Sequence, residues 1–118
     1  MALVLIVDDN EMDRLLFESI LETAGHEIHL AANGDEARVL YAKLSVDVVV
    51  TDLHMHPGHG LELIQALTAS DPDAAIIAVS GTGPAQLDMA RSLGARLAFP
   101  KPMDAKRLLE AVEEVVSA

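Results

Sequence analysis

The chain has 118 residues and a formal net charge of -11, enough sequence for one domain around a single buried core and too acidic to favour direct contact with nucleic acid or an anionic membrane. Hydrophobic residues make up 51% and charged residues 23%, an ordinary globular balance, although aromatics at 3% require a mostly aliphatic core. The absence of cysteine excludes disulfides and thiolate metal sites.

Leu3 to Val7 is an apolar run that reads as a strand. It is too short for a signal-peptide core and runs directly into Asp8-Asp9, and no stretch approaches membrane-spanning length, so a cytoplasmic location is expected. Met12, Leu16 and Ile20 recur at helical spacing. Asp9 or Asn10 can cap that helix near Glu11, and Gly25 can stop it. Glu27-Ile28-His29-Leu30-Ala31 alternates as a half-exposed edge strand should, and Ala37, Leu40, Tyr41 and Leu44 mark a second helix. Val46 to Val50 and Ala75 to Val79 are near-continuous apolar runs, as expected of parallel strands covered on both faces. Between them Leu61, Ile64 and Leu67 mark a third helix. Pro84 to Leu93 reads as a fourth, stopped by Gly94; a fifth strand ends at Phe99-Pro100, and Asp104 caps a last helix carrying Leu108, Val112, Val115 and Val116.

Strands alternating with helices predict a doubly wound α/β sheet with right-handed crossovers. For five strands the flavodoxin-like (βα)5 order 2-1-3-4-5 is favoured, with ligands bound beyond the carboxyl ends of the strands where the order reverses, between strands 1 and 3. Asp8 and Asp9 follow strand 1, Asp52 follows strand 3 and Lys101 follows strand 5. Clustered carboxylates repel one another unless a cation joins them, and an all-oxygen cluster suits a hard ion such as Mg²⁺. With a lysine beside it, such a cluster has the parts of a metal-assisted phosphoryl site.

The order of these residues resembles the receiver domain of bacterial two-component response regulators, over about Leu3 to Val116. That family has an acidic pair after its first strand (Asp8-Asp9), an acceptor aspartate after its third (Asp52), a Ser or Thr after its fourth (Ser80) and Lys-Pro after its fifth (Lys101-Pro102). Its glycine eight residues beyond the acceptor is matched by Gly60. The resemblance implies that Asp52 is the nucleophile that becomes an aspartyl phosphate. It implies that Asp9 and Asp52 bind Mg²⁺ directly, that Asp8 acts mainly through water, and that the backbone carbonyl of His54 completes the protein ligands. Lys101 would neutralise phosphoryl oxygens, Ser80 would donate its hydroxyl to one, and Gly81 would leave room for the group. The phosphoryl donor would be a sensor histidine kinase or a phosphotransfer protein. A downstream protein would read the face of helix 4, strand 5 and helix 5, which includes Gln86, Arg91, Arg96, Lys106 and Arg107. Residues 1–118 would form a single receiver domain with no output domain, and with no enzymatic turnover beyond its own phosphorylation and dephosphorylation.

The chain departs from the family pattern in three places. Proline stands five residues after Asp52, at Pro57, with His56 in the usual proline position. Ala98 occupies the place of the aromatic switch residue, and neighbouring Phe99 should face the other way because strand side chains alternate. Pro100 directly precedes Lys101, whose bond to Pro102 is expected to be cis by resemblance. His54, His56 and His59 allow a transition-metal site as well as an ordinary exposed loop. An aspartate-nucleophile phosphatase of the haloacid-dehalogenase type is disfavoured, because His54 stands where its second carboxylate belongs and no substrate-cap domain fits. The remaining alternative, suggested by Ala98 and the displaced proline, is a receiver-like interaction module that works without phosphorylation.

Overall fold

The computed structural model describes residues 2–54, 60–81 and 83–117. Strands and helices alternate: β1 (Leu3–Val7), α1 (Glu11–Glu22), β2 (Glu27–Ala31), α2 (Gly34–Lys43), β3 (Val48–Asp52), α3 (Gly60–Ser70), β4 (Ile76–Ser80), α4 (Pro84–Leu93), β5 (Leu97–Pro100) and α5 (Ala105–Ser117). All neighbouring strands are parallel, in the order β2-β1-β3-β4-β5. This is the expected flavodoxin-like sheet.

Side-chain alternation along the strands splits the core into two layers. Leu5, Val7, Val49, Ile76, Ala78 and Ala98 pack with residues of α2, α3 and α4, including Ala37, Ile64 and Ala90. Val4, Ile6, Val48, Val50, Ile77 and Val79 face the opposite way, toward Phe17 and Leu21 of α1 and Leu108, Val112 and Val115 of α5. Each fully buried Leu, Ile or Val contributes about 1.5–3 kcal/mol by leaving water, so a mostly aliphatic core with Phe17 as its buried aromatic suffices.

Local chemistry sets the helix ends. The Asn10 side chain accepts from the Asp13 N–H at 3.0 Å to begin α1, and Asp104 accepts from the Arg107 N–H at 2.7 Å to begin α5. Asn10, not Asp9, is therefore the cap. Gly94 closes α4 with φ 127°, a backbone angle that side chains resist.

Three details differ from the sequence expectation. On α1 the core face is Phe17 and Leu21, while Met12 is 80% exposed and Leu16 is also exposed. Steps of four residues drift about 40° around a helix, so the Met12-Leu16-Ile20 row turns toward the core only at Ile20. β3 begins two residues later than expected and ends on Asp52, and β4 ends on Ser80. The Asp47 carboxylate and N–H both bond to Leu3, at 2.8 Å each, and so serve the start of β1, while pairing of Asp52 with Val79 prolongs the ladder. β2 is an edge strand, yet its middle residues are half-buried instead of alternating. Among the described residues no helix is long and apolar enough to cross a membrane.

Candidate functional site

Parallel pairing decides which residues meet. Val7 is opposite Thr51, so Asp8 and Asp52 lie next to each other where β1 and β3 end. One carboxylate oxygen from each of Asp8, Asp9 and Asp52 lies within 4.8 Å of the others. Burial separates residues that look equivalent in sequence, since Asp8 and Asp52 are buried whereas Asp9 is exposed. An all-oxygen set with one member open to solvent fits a hard divalent cation that keeps part of its water.

Lys101 reaches this cluster from beyond β5. Its N–H donates to the Ser80 carbonyl at 2.9 Å, which continues the β4–β5 ladder and brings Ser80 and Lys101 together at the end of the sheet. Its ammonium donates to Asp8 Oδ2 at 2.8 Å and to Asp13 Oδ2 at 2.9 Å, and lies 3.5 Å from Asp52 Oδ2. The Lys101–Pro102 peptide is cis, as expected. Ser80 is buried at the tip of β4.

Burial raises the pKa of Asp52, because a carboxylate loses hydration there; Lys101 opposes the rise, Asp8 adds to it, and the His54 N–H, 3.2 Å from Oδ1, also opposes it. For Lys101 burial works against the charged form, but its hydrogen bonds to Asp8 and Asp13 and the charges of Asp52 and Asp8 outweigh it and raise its pKa. The lysine is thus held as a cation among carboxylates, with the acceptor-position oxygen the most distant of its three partners.

Glycines give the site its space. A Cβ on Gly60 would collide with the carbonyl oxygen of Asp52 and lie 2.7 Å from Leu53 Cα, so the start of α3 rests directly on the Asp52 backbone. At Gly81 an added Cβ would meet only Lys101 Cβ, at an ordinary 3.9 Å. Packing within the protein therefore does not explain Gly81.

Sequence reasoning missed two contributors. Asp13 binds Lys101, and Arg14 donates from Nη1 to the Asp8 carbonyl at 2.7 Å. A signal existed for Asp13: it sits at the third helical position after the Asn10 cap, where helical side chains lean back toward the N-terminus and the strand ends. Among the predicted loop residues, His54 is exposed, while His56, Pro57 and His59 lie outside the described residues. Ala98 and Phe99 face opposite layers, as alternation required: Ala98 packs toward α4, and Phe99 lies under the Arg107 guanidinium, 4.7 Å from the ring centroid.

Residues 4–113 match the response regulator receiver domain family. The chain is 36% identical over 114 residues to the chemotaxis protein CheY of Thermotoga maritima, with 95% of each protein covered. It is 30% identical over 114 residues to sporulation initiation phosphotransferase F of Bacillus subtilis, covering 94% of this chain and 90% of that protein. The crystal structure of a response regulator receiver domain protein from Clostridium thermocellum superposes with a TM-score of 0.92 at 27% identity, covering 99% of this chain and 95% of that one. Sheet order, sequence match and structural likeness agree, and the chain belongs to the response regulator receiver domain family.

Proposed function

We propose that this receiver accepts a phosphoryl group on Asp52 from a histidine kinase or a phosphotransfer protein, with Mg²⁺, and signals through protein contacts. The observation that carries the reading is the convergence of Asp8, Asp9 and Asp52 with the Lys101 ammonium at one end of the sheet. No simple structural purpose is served by crowding buried carboxylates, since each repels the next.

A carboxylate oxygen of Asp52 attacks phosphorus in line with the donor's P–N bond. The new O–P bond forms as the P–N bond breaks, and the leaving imidazole nitrogen keeps the electron pair and takes up a proton. Phosphoryl transfer asks mainly for positioning and charge neutralisation. Lys101 supplies one positive charge for the phosphoryl oxygens, and Ser80, at the tip of the neighbouring strand, supplies a hydroxyl donor. Asp8, Asp9, Asp52 and the His54 carbonyl would hold Mg²⁺, which supplies further positive charge when bound. Gly81 keeps open the volume that the group would fill. The same constellation supports self-dephosphorylation when water replaces the departing donor.

Beside the site, α1 presents Met12, Leu15 and Leu16 as exposed apolar side chains, a surface suited to a docking phosphoryl donor. The α4–β5–α5 face is the proposed output surface. Its arginines are already anchored: Arg91 bonds Asp88 and the Ala98 carbonyl, Arg96 bonds the Asp73 carbonyl, and Arg107 covers Phe99. Ordered cations on an acidic protein can select an acidic partner. The names of the relatives, a chemotaxis protein and a sporulation phosphotransferase, support signalling by phosphotransfer.

The test is intact-mass analysis after incubation with Mg²⁺ and acetyl phosphate. A single phosphoryl adduct that disappears in Asp52→Asn is expected. An undiminished adduct in that variant would refute the acceptor assignment, and an unlabelled native protein would favour a module that works without phosphorylation.

A further inference from the structure

The contact between Lys101 and Asp13 has no part in the chemistry above. An ammonium has three N–H donors, and here the two short contacts go to Asp8 and Asp13 while the acceptor oxygen lies at 3.5 Å. To serve phosphoryl oxygens on Asp52, Lys101 must surrender or share a donor. In the metal-free site Asp8 is the harder partner to give up, because its side chain is 2% exposed and would be left without a cation there. Asp13 is the easier one. Its side chain is 40% exposed, so water can rehydrate the carboxylate when the ammonium leaves.

Asp13 is also held in place to compete. Its backbone N–H is bonded to the Asn10 cap, which fixes the first turn of α1 and with it the reach of the carboxylate to Nζ. It stands outside the trio that could hold a cation, so a metal ligand's role does not account for it.

We propose that Asp13 is a positioning residue that acts as a resting-state latch, engaging Lys101 before phosphorylation and competing with the phosphoryl group for its ammonium. This rests on Asp52 being the acceptor. The latch slows formation of the aspartyl phosphate and weakens Lys101's hold on it. It also makes α1, the element beside the site with an exposed apolar surface, a lever on the reaction: a partner that draws Asp13 away from Lys101 speeds phosphorylation without touching the reacting atoms.

The experiment compares initial rates of Asp52 phosphorylation from acetyl phosphate at saturating Mg²⁺ in the native protein and in Asp13→Asn, Asp13→Ala and Asp13→Glu. Loss of the carboxylate should accelerate labelling about two- to fivefold, the rate equivalent of an exposed ion pair. Asp13→Glu, which keeps the charge, should stay near the native rate. A purely structural residue would slow the reaction, or would tolerate Asn better than Glu. Mg²⁺ titration followed by NMR without donor is the second readout, and affinity in Asp13→Asn should not rise. Unchanged or slower labelling in Asp13→Asn, equal acceleration in Asp13→Glu, or metal affinity rising in step with rate would overturn the latch. Those failures occur on a protein that labels at Asp52; an unlabelled native protein would instead overturn the acceptor reading and the latch with it.

Discussion

Gly60→Ala tests whether the backbone contact beneath Asp52 is required. The added Cβ would sit 2.7 Å from Leu53 Cα, whereas carbon atoms are at ease at about 3.5 Å or more, and it would press closer still on the Asp52 carbonyl oxygen. Both neighbours are main-chain atoms, at the last residue of the central strand β3 and the residue after it, so no side chain can rotate away. Nor can α3 retreat freely, because Leu63, Ile64 and Leu67 are buried in the core below it. Overpacking of this kind costs about 1–3 kcal/mol, and the rigid surroundings place this site at the upper end. Helix propensity returns at most about 1 kcal/mol. A net loss of about 2 kcal/mol should lower the melting temperature by roughly 6–12 °C in a domain of this size, measured by far-ultraviolet circular dichroism. The displaced strand end should also reduce labelling of Asp52. Gly81→Ala is the matched control, because its Cβ finds only a 3.9 Å contact; melting should stay within about 3 °C of native while labelling falls. A Gly60→Ala protein that melts within about 2 °C of native would refute the close-approach argument.

Asp52→Asn should stabilise the metal-free protein at neutral pH. The folded-state pKa of Asp52 is raised above its ordinary 3.8, chiefly by burial, so this group's favourable contribution is full below 3.8 and is lost as pH rises through the folded value. Melting curves from pH 3.5 to 7 should show the Asn variant gaining on the native protein with rising pH; a less stable variant at pH 7 would contradict this. Mg²⁺ should narrow the gap by stabilising only the native site, by about 2.7 kcal/mol at a concentration 100-fold above its dissociation constant. A further expectation concerns Ala98, which has no rotamer to couple the site to the surface: beryllofluoride should shift amide resonances near Asp52 and from Ser80 to Ala85, with little change across Leu97 to Phe99. Large cooperative shifts through β5 and the first turns of α5 would show another coupling route.

Much of the fold was legible because its determinants are local. Aliphatic runs five residues long, separated by helical repeats, leave few arrangements other than a doubly wound sheet, and strand order then brings Asp8 to Asp52. What escaped depends on distances that sequence does not encode. Strand ends are settled by ladder partners, which is why β3 runs on to Asp52, and α1's core face is settled by how the helix rolls onto the sheet. Asp8 and Asp9 are chemically identical neighbours, yet one is buried under Lys101 and the other open to water. Asp13 reaches a lysine 88 residues away in sequence, a contact that only the folded chain defines.

The two layers of the core also constrain how a signal leaves the site. Phe99 belongs to the layer of α1 and α5, where Arg107 covers its ring, so an aromatic motion there would act on α5 and not on α4. Ala98 belongs to the layer of α4, but its side chain offers a single methyl. What joins β5 to α4 at that point is polar and runs through the main chain: the Arg91 guanidinium donates to the Ala98 carbonyl at 3.1 Å and, on its other side, to Asp88 at 2.9 Å. Two residue pairs further along β4 and β5 Ser80 stands opposite Pro100, and the N–H of the next residue, Lys101, is tied to the Ser80 carbonyl. A pull on Lys101 or Ser80 therefore reaches the α4 surface through strand backbone and an arginine, not through an aromatic ring that changes its burial. Such a link transmits small displacements, because hydrogen bonds to a strand carbonyl tolerate tenths of an ångström, whereas a rotating ring exchanges two packed states. A downstream partner would then have to distinguish the two forms mainly by the charge and loop geometry next to Asp52, with α4 contributing a surface that is already in place.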